Sequence, residues 1–388
     1  MAQRVPSVFW SQLCYNYTVN HSTTIGRNLA AVVGGKQKLK IGIIGKPQAG
    51  KSALFRLLTN HEPSPNGKAQ VAVGKIPDQR IDVLAKLFNP RKITYATIDF
   101  WDVPGFQPGR NSLDFLQSVR DVDALVVVLR AFESDTVPSY DGLQPYADFK
   151  DLQQELLIAD WTLMETRLER LAKQRAKNPK AEEELAVLEK CRATLEQDLP
   201  LRQLALDPDE EKLLRNYDFF TRKPLIAVVN LDEEQMRSGR YPQQDELEAE
   251  LERMNVPLIK VSAQIEAEIS ELDPDDAKLF MEELGVSESG IARIARTVYA
   301  HLGLISFFTA GEKEVRSWTI HLGDTASRAA GKIHSDIERG FIRAEVVAYE
   351  DMVKCGTMQK VKEQGLFRLE GKEYIVHDGD VITFRFNV

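Results

Sequence analysis

The sequence has few cysteines and no long hydrophobic run. Its 388 residues include only Cys14, Cys191 and Cys355, which lie far apart and do not show Cys-x-x-Cys spacing. This pattern argues against a disulfide framework or a zinc site, and it favours a reducing, cytoplasmic compartment. No stretch approaches the roughly eighteen apolar residues of a membrane-spanning helix, so we expect no membrane association.

Acidic residues are absent from the first forty positions, which are rich in serine, threonine and asparagine. Such a start is compatible with an organelle transit peptide, but no amphipathic arginine-rich helix is evident. We therefore interpret residues 1–38 as a flexible N-terminal extension. Elsewhere the composition is that of a globular protein, with 43% hydrophobic residues and a net charge of -8. Nucleic-acid binding would therefore need a local basic patch.

Short apolar runs alternate with helical patterns from residue 39 onward. Strands are predicted over residues 39–44, 93–101, 124–129, 225–229 and 258–261, and a helix over 51–59. This alternation predicts an α/β fold with a mostly parallel sheet covered on both faces. We expect this domain to comprise residues 39–150 and 216–305.

Leucine spacing changes between residues 151 and 215, where two helical segments flank an Asn178-Pro179 turn. The pattern predicts an inserted antiparallel two-helix hairpin. Its tip is basic, with Arg167, Arg170, Lys173, Arg175, Lys177 and Lys180. The charges are compatible with an RNA contact or with a solvated helix face.

The final segment, residues 306–388, has the pattern of a small α+β domain. A strand beginning at Trp318, a helix over 325–337 and strands over 341–347, 374–376 and 381–386 are predicted. The Asp378-Gly379 pair between β-rich runs is typical of a turn.

A phosphate-binding motif follows the first predicted strand and opens the first helix. The segment reads Gly45-Lys46-Pro47-Gln48-Ala49-Gly50-Lys51-Ser52. This is the Gly-x-x-x-x-Gly-Lys-Ser form of a P-loop, in which backbone N–H groups and the helix N-terminus face phosphate oxygens. Lys51 is expected to reach the β and γ phosphates, and Ser52 to bind Mg²⁺.

A second motif, Asp102-Val103-Pro104-Gly105, follows the strand predicted over 93–101. Its Asp-x-x-Gly form is that of a switch II segment, in which Asp102 holds Mg²⁺ through water and Gly105 senses the γ-phosphate. The next residue is Phe106, where Ras-like enzymes carry a glutamine that orients the attacking water. Phe106 can make no hydrogen bond through its side chain, so hydrolysis should be slow or should need a group from elsewhere.

Two further loops follow strands at positions expected for base recognition. Asn230-Leu231-Asp232-Glu233 occupies the place of an Asn-Lys-x-Asp motif, with Glu233 where an aspartate would read guanine. This replacement weakens the prediction of guanine and leaves adenine plausible. Ser262-Ala263-Gln264 is similar to the loop that completes such a base pocket, and all these loops follow parallel strands.

Several stretches together resemble the YchF / Obg-like ATPase family of P-loop proteins. They include Ile76-Pro-Asp-Gln-Arg, Leu185-Ala-Val-Leu-Glu-Lys-Cys, Phe308-Thr-Ala-Gly-Glu-Lys-Glu-Val-Arg and the terminal Phe386-Asn-Val. The resemblance covers residues 39–388. It implies a G domain, a coiled-coil insertion and a C-terminal TGS domain of β-grasp type, with ATP hydrolysis and ribosome association.

Position by position, the resemblance also implies contacts with the nucleotide. The phosphate-binding residues would be Gly45, Pro47, Gln48, Ala49, Gly50, Lys51, Ser52 and Ala53. The base would lie near Asn230, Leu231, Glu233, Ser262, Ala263 and Gln264. The family also carries a hydrophobic residue at the position of Phe106.

Three departures from the family pattern surround the γ-phosphate. The switch I region, residues 62–70, lacks the family's threonine, for which Ser64 or Asn66 could substitute. The segment after switch II is shortened, and Ser139 stands where the family often has a histidine. The sequence therefore predicts nucleotide binding more firmly than turnover.

The favoured interpretation is a slow, Mg²⁺-dependent ATPase that acts as a ribosome- or RNA-associated switch and prefers ATP to GTP. We expect a monomer that contacts its partner through the hairpin tip and the TGS domain. The alternatives are a nucleotide-sensing scaffold that hydrolyses little, and a GTP-specific GTPase.

Overall fold

A computed structural model describes residues 39–64, 69–107, 112–134, 142–174, 180–215, 217–283, 286 and 288–387. The predicted N-terminal extension, Asn66, Ser139 and positions 175–179 of the hairpin tip lie outside these ranges. No helix in the described ranges is both long enough and apolar enough to cross a membrane.

The first sheet has six strands in the order β2-β4-β1-β5-β6-β7. Its strands are β1 (Lys40–Ile44), β2 (Gln70–Lys75), β4 (Thr97–Asp102), β5 (Ala124–Arg130), β6 (Leu225–Asn230) and β7 (Leu258–Val261). Five strands are parallel, and only the edge strand β2 runs antiparallel to its neighbour. This confirms the predicted mostly parallel sheet. The parallel strands end at one edge, which is where such sheets bind ligands.

Helices cover both faces of this sheet because its central strands are apolar on both sides. One face packs on α1 (Lys51–Thr59), α9 (Ala263–Glu271) and α11 (Gly290–His301). The other packs on α3 (Ser112–Val119), α8 (Gln244–Arg253) and the start of α4 (Pro145–Gln174). The helices α7 (Glu233–Ser238) and α10 (Pro274–Glu283) complete this part of the chain.

The predicted hairpin is confirmed as two helices, α4 and α5 (Lys180–Leu195), with a separate hydrophobic core. The short helix α6 (Pro208–Leu214) and the 3₁₀ turn Leu201–Gln203 close this core. Asp160 of α4 is fully buried and accepts hydrogen bonds from the N–H groups of Phe220 and Thr221, each 2.7 Å long. These bonds satisfy a buried carboxylate and attach the hairpin to the chain that re-enters the first sheet.

The second sheet also has six strands, in the order β11-β10-β12-β8-β9-β3. They are β3 (Ile93–Thr94), β8 (Leu304–Ala310), β9 (Val315–His321), β10 (Phe341–Val347), β11 (Arg368–Glu370) and β12 (Val381–Phe386). Its helices are α12 (Ala326–Ile333), α13 (Ser335–Arg339), α14 (Tyr349–Cys355) and α15 (Met358–Glu363).

Three sequence predictions for strands and helices are wrong. The strand predicted over 93–101 is two strands, because β3 pairs with β9 of the second sheet and β4 with β1 of the first. The helix predicted over 325–337 is interrupted at His334, whose extended backbone ends α12 and whose Nδ1 accepts the Asp336 N–H at the start of α13. Between 374 and 376 the chain forms only an isolated bridge from Ile375 to Thr325.

The two sheets are joined by α2 (Gln79–Phe88), which lies between β2 and β3 in sequence. Ile81 and Leu84 of α2 pack in one core with Phe308, Val315 and residues of α14. β3 then extends the second sheet. A segment that begins and ends in the first sheet therefore contributes both a helix and a strand to the second.

Arg80 adds a polar link between the same two parts of the chain. Its guanidinium donates to Asp78 at 2.9 Å and to Asp378 at 2.7 Å, and it lies over the Phe308 ring at 5.2 Å. Asp378 also accepts the Ser306 N–H at 2.9 Å, so one carboxylate connects α2 with β8 of the second sheet. Charge-assisted bonds of this kind are among the stronger ones in proteins.

We expect Arg80→Met to lower the free energy of unfolding by about 2 kcal/mol, because it leaves Asp78 and Asp378 without their shared cation. Urea denaturation measures the change. Arg385→Met is the matched control, since Arg385 pairs with Glu345 on the surface of the second sheet alone. Equal losses for the two variants would contradict a special role of Arg80.

Candidate functional site

The phosphate loop, residues 45–52, curls between β1 and α1 through backbone angles that favour glycine. Gly45 has φ 148° and Gly50 has φ 95°. A Cβ atom would lie 2.3 Å from the Val128 carbonyl oxygen at Gly45, and 2.2 Å from Asn230 Nδ2 at Gly50. Neither position can hold a larger residue without a shift of its neighbours. Pro47 and Gln48 are exposed at the crest, whereas Ala49 is buried and Ala53 is exposed on α1.

Lys51 and Ser52 open α1 beside the end of β4. The Lys51 side chain is only 7% exposed, and its Nζ donates to the Lys46 carbonyl at 2.8 Å. Ser52 Oγ donates to Asp102 Oδ2 at 2.7 Å. The two predicted Mg²⁺ ligands are therefore in direct contact, and the predicted phosphate-binding lysine lies next to them.

Asp102 has the features of a metal ligand. Burial raises the pKa of its carboxyl group, although the Ser52 hydrogen bond and the Lys51 charge act to lower it. Its second oxygen, Oδ1, is buried and has no hydrogen-bond partner among the described residues. Mg²⁺ binds oxygen ligands such as a hydroxyl and a carboxylate. The ion commonly completes its coordination shell with water and phosphate oxygens. Ser52 and Asp102 therefore fit a magnesium site.

The segment after Asp102 lies directly on the phosphate loop. The Phe106 N–H donates to the Gly45 carbonyl at 3.0 Å. A Cβ atom at Gly105 would lie 2.8 Å from the Pro47 backbone, so only glycine allows this approach. The Phe106 side chain is 1% exposed and packs on Phe115, with ring centroids 5.1 Å apart. Its ring therefore belongs to the core and presents no group to the site.

Asn230 connects the phosphate loop with the loop after β7. Its Nδ2 donates to the Ala49 carbonyl at 3.1 Å, and its Oδ1 accepts the Ala263 N–H at 3.0 Å. Ser262 caps α9 by accepting the Ile265 N–H. Asn230 thus satisfies one carbonyl and one N–H from two segments that lie 181 and 33 residues away along the chain.

The other residues of the predicted base loops have different surroundings. Leu231 is 2% exposed and packs in the core on the α4 side of the sheet. Glu233 is exposed and pairs with Arg237 at 2.7 Å along α7. Gln264 is exposed and donates to Glu268 at 3.3 Å. Asn230, Ala263 and Ala49 form one network, while Glu233 and Gln264 hydrogen-bond within their own helices.

One residue of the site is not predictable from the sequence. Lys46, at a variable position of the P-loop motif, pairs with Asp148 and Asp151 of α4 at 2.7 Å each. More than a hundred positions separate the partners, and no spacing rule links them.

Ser64, a suggested switch I substitute, is half-buried.

Comparisons with known proteins match two parts of the chain to family models. A model described as a 50S ribosome-binding GTPase matches residues 40–162, and the YchF-GTPase_C model, described as a protein of unknown function, matches residues 304–387. The ribosome-binding ATPase YchF of Bacillus subtilis is 39% identical over 369 residues, covering 90% of this chain and 100% of the relative. The Haemophilus influenzae protein of the same name is also 39% identical, with coverages of 90% and 99%.

A solved structure gives the same assignment. The Schizosaccharomyces pombe YchF GTPase superimposes with a TM-score of 0.82 at 30% identity, covering 91% of this chain and 99% of that one. The chain belongs to the YchF family. This confirms the resemblance seen in the sequence and the predicted P-loop α/β fold with a second, C-terminal sheet. The roles of the individual site residues in this YchF-family chain stay predictions.

The lysine of this YchF-family site should make nucleotide binding pH-dependent. Burial lowers the pKa of Lys51 to about 8, although the Asp102 charge acts to raise it. Phosphate oxygens would favour the charged form and raise the pKa in the complex. Above about pH 8, binding must then take up a proton, and affinity for ADP should fall by up to about tenfold per pH unit.

Titration calorimetry in two buffers of different ionisation enthalpy measures this proton uptake at alkaline pH. Lys51→Met should abolish the uptake, because its side chain cannot titrate. Affinity that stays constant from about pH 7 to about pH 9, without proton uptake, would show that Lys51 does not meet the phosphates.

We expect Asn230→Asp to destabilise the protein by about 1–3 kcal/mol and to weaken ADP binding. The variant keeps the size of the side chain but turns a carboxylate oxygen toward the Ala49 carbonyl. Chemical denaturation and calorimetry measure the two effects. Asn255→Asp, the same change at an exposed position, is the control. A loss no greater than that of the control would contradict the bridging role.

Proposed function

We propose that this YchF-family protein is a Mg²⁺-dependent P-loop nucleotide hydrolase that prefers ATP to GTP and turns over slowly. The observation that carries the proposal is the contact of Ser52 with Asp102 beside the buried Lys51, at the end of the curled phosphate loop. The name of the bacterial relatives, ribosome-binding ATPase, supports both the activity and an association with ribosomes.

In this proposal the chain's own groups bind and orient the triphosphate. Backbone N–H groups of residues 48–53 and the N-terminus of α1 face the phosphate oxygens. Lys51 has three N–H donors, so it keeps its bond to the Lys46 carbonyl with one and directs the others to the β and γ phosphates. Ser52 and Asp102 would hold Mg²⁺, and the bound ion would neutralise charge that develops on the phosphates. Gly105 keeps switch II close enough to respond to the γ-phosphate.

Slow turnover follows from Phe106. Its ring is buried against Phe115, so the position that carries a water-orienting glutamine in Ras-like enzymes offers no polar side chain here. The attacking water must be oriented by another group or by a bound partner. The same observation supports the second candidate, a scaffold that senses the nucleotide and hydrolyses little.

The preference for ATP is proposed from the base loops. Glu233 replaces the aspartate that would accept two guanine N–H bonds, and its carboxylate is paired with Arg237. Leu231 replaces the lysine of the guanine motif and is buried. The proposed base site is then formed mainly by backbone atoms around Asn230 and Ala263. These atoms do not select guanine over adenine.

The remaining assignments concern organisation and partners. We propose a cytoplasmic monomer with a G domain (39–150 and 216–305), a hairpin (151–215) and a TGS-like domain (306–388), in which the hairpin tip and the last domain meet the ribosome or RNA. Arg170 and Lys173 are exposed on α4, whereas Arg167 pairs with Glu184 at 2.8 Å. Exposed cations are the ones available to phosphate groups.

The proposed function is tested by titration calorimetry with ATP, GTP and a non-hydrolysable ATP analogue, each with and without Mg²⁺, followed by phosphate release. We expect Mg²⁺ to strengthen ATP binding, ATP to compete more strongly than GTP, and Lys51→Ala to reduce turnover by at least about a hundredfold. Lys278→Ala, which removes an exposed lysine of α10, is the control.

Stronger binding of GTP than ATP would favour the GTPase alternative and refute the interpretation of Glu233. If the wild type binds ATP tightly with Mg²⁺ but hydrolyses it no faster than Lys51→Ala does, the scaffold alternative is supported. ATP affinity that changes neither when Mg²⁺ is removed nor in Lys51→Ala would refute the phosphate site itself.

A further inference from the structure

The phosphate loop has an ionic contact with the hairpin that the proposed function does not use. Lys46 Nζ lies 2.7 Å from Asp148 Oδ1 and 2.7 Å from Asp151 Oδ2. The exposed fractions of the three side chains are 29%, 19% and 44%, so the cluster is partly shielded from water. Burial alone would lower the pKa of Lys46, but the two aspartates outweigh it and the pKa is raised, which keeps the ammonium charged.

The two aspartates belong to the base of the long hairpin helix. Asp148 lies in the first turn of α4 and Asp151 three residues later, so both face the same side of the helix. Phe149 and Leu152, from the same turns, pack in the core that contains Phe106. The base of α4 is thus fixed against the first sheet by apolar packing, and its carboxylates are held at the phosphate loop.

Lys46 is also bonded through its backbone to the lysine that is expected to bind phosphate. Its carbonyl accepts the Lys51 Nζ hydrogen bond at 2.8 Å. The next residue, Pro47, has a fixed φ and touches Gly105 closely. Residue 46 therefore has its side chain held by α4 and its carbonyl facing Lys51. A shift of the Lys46 side chain would move the acceptor that orients the Lys51 ammonium.

We propose that Asp148 and Asp151 position Lys51 through Lys46, so that the base of the hairpin helix helps to set the affinity for nucleotide. Lys46 is a positioning residue in this arrangement and does not itself contact the phosphates. The inference rests on the proposed function in one respect, namely that Lys51 binds phosphate. It adds that the hairpin, and not the P-loop motif alone, determines how well Lys51 is placed.

The test uses the full chain, ADP and a non-hydrolysable ATP analogue. Lys46→Met keeps the length of the side chain without its charge, and Asp148→Asn with Asp151→Asn keeps the carboxylates' shape. We expect each change to weaken binding of the ATP analogue by about tenfold, since small displacements of a binding group are costly. Lys46→Arg, which can reach the same carboxylates, should restore most of the affinity.

Introducing Lys46→Met into two other variants distinguishes a loss of Lys51 positioning from a general loss of structure. Lys46→Met combined with the double asparagine variant should be no weaker than either alone, because both remove the same contact. In a Lys51→Ala background, Lys46→Met should have no further effect on affinity. Arg192→Met, which removes an ion pair with Glu189 from the same hairpin, is the control and should bind like the wild type. Thermal unfolding of every variant checks that it is folded.

The outcomes distinguish this inference from the proposed function. If Lys51→Ala binds as tightly as the wild type, the phosphate site itself is refuted. If Lys51→Ala loses affinity while Lys46→Met and the double asparagine variant do not, only the positioning role is refuted. A Lys46→Met effect that persists undiminished in the Lys51→Ala background would also overturn it, because the contact would then act independently of Lys51.

Discussion

The hydrogen bonds of the Asn230 side chain hold the site together. Its Nδ2 donates to the carbonyl of Ala49 and its Oδ1 accepts the N–H of Ala263. These two bonds hold the phosphate loop at a fixed distance from the loop after β7. The same amide stands where a Cβ at Gly50 would be, which explains why the loop needs glycine there. A buried amide with both ends satisfied tolerates little displacement, and the rest of the site is arranged around it.

The phosphate loop is also held by two other parts of the chain. Gly105 contacts it at Pro47, and the aspartates at the base of α4 contact it at Lys46. These contacts approach the loop from switch II and from the hairpin, and Asn230 approaches it from β6. Each holding group belongs to a different element, so the residues around Lys51 are held by the segment after β4, by α4 and by β6.

The second sheet is linked to the site through the chain between β2 and β4. That segment contributes α2 and β3 to the C-terminal core, and β4 then runs back through the first sheet to end at Asp102. Arg80 adds an ionic contact to the turn at Asp378. The strand that ends at the proposed magnesium ligand Asp102 is therefore covalently continuous with an element that pairs in the other sheet.

The sequence by itself determined the features that rest on local patterns: the P-loop, the parallel strands, the hairpin and the family. The P-loop, the strands and the hairpin have a fixed spacing or period, and the family shows in short stretches of sequence, so all four are readable without coordinates. Tertiary structure alone decided where β3 pairs, that Phe106 and Leu231 lie in the core, and that Lys46 meets Asp148 and Asp151. The physical reason is that these facts depend on which distant segments become neighbours, and a side chain's partner across the fold leaves no periodic trace in the chain.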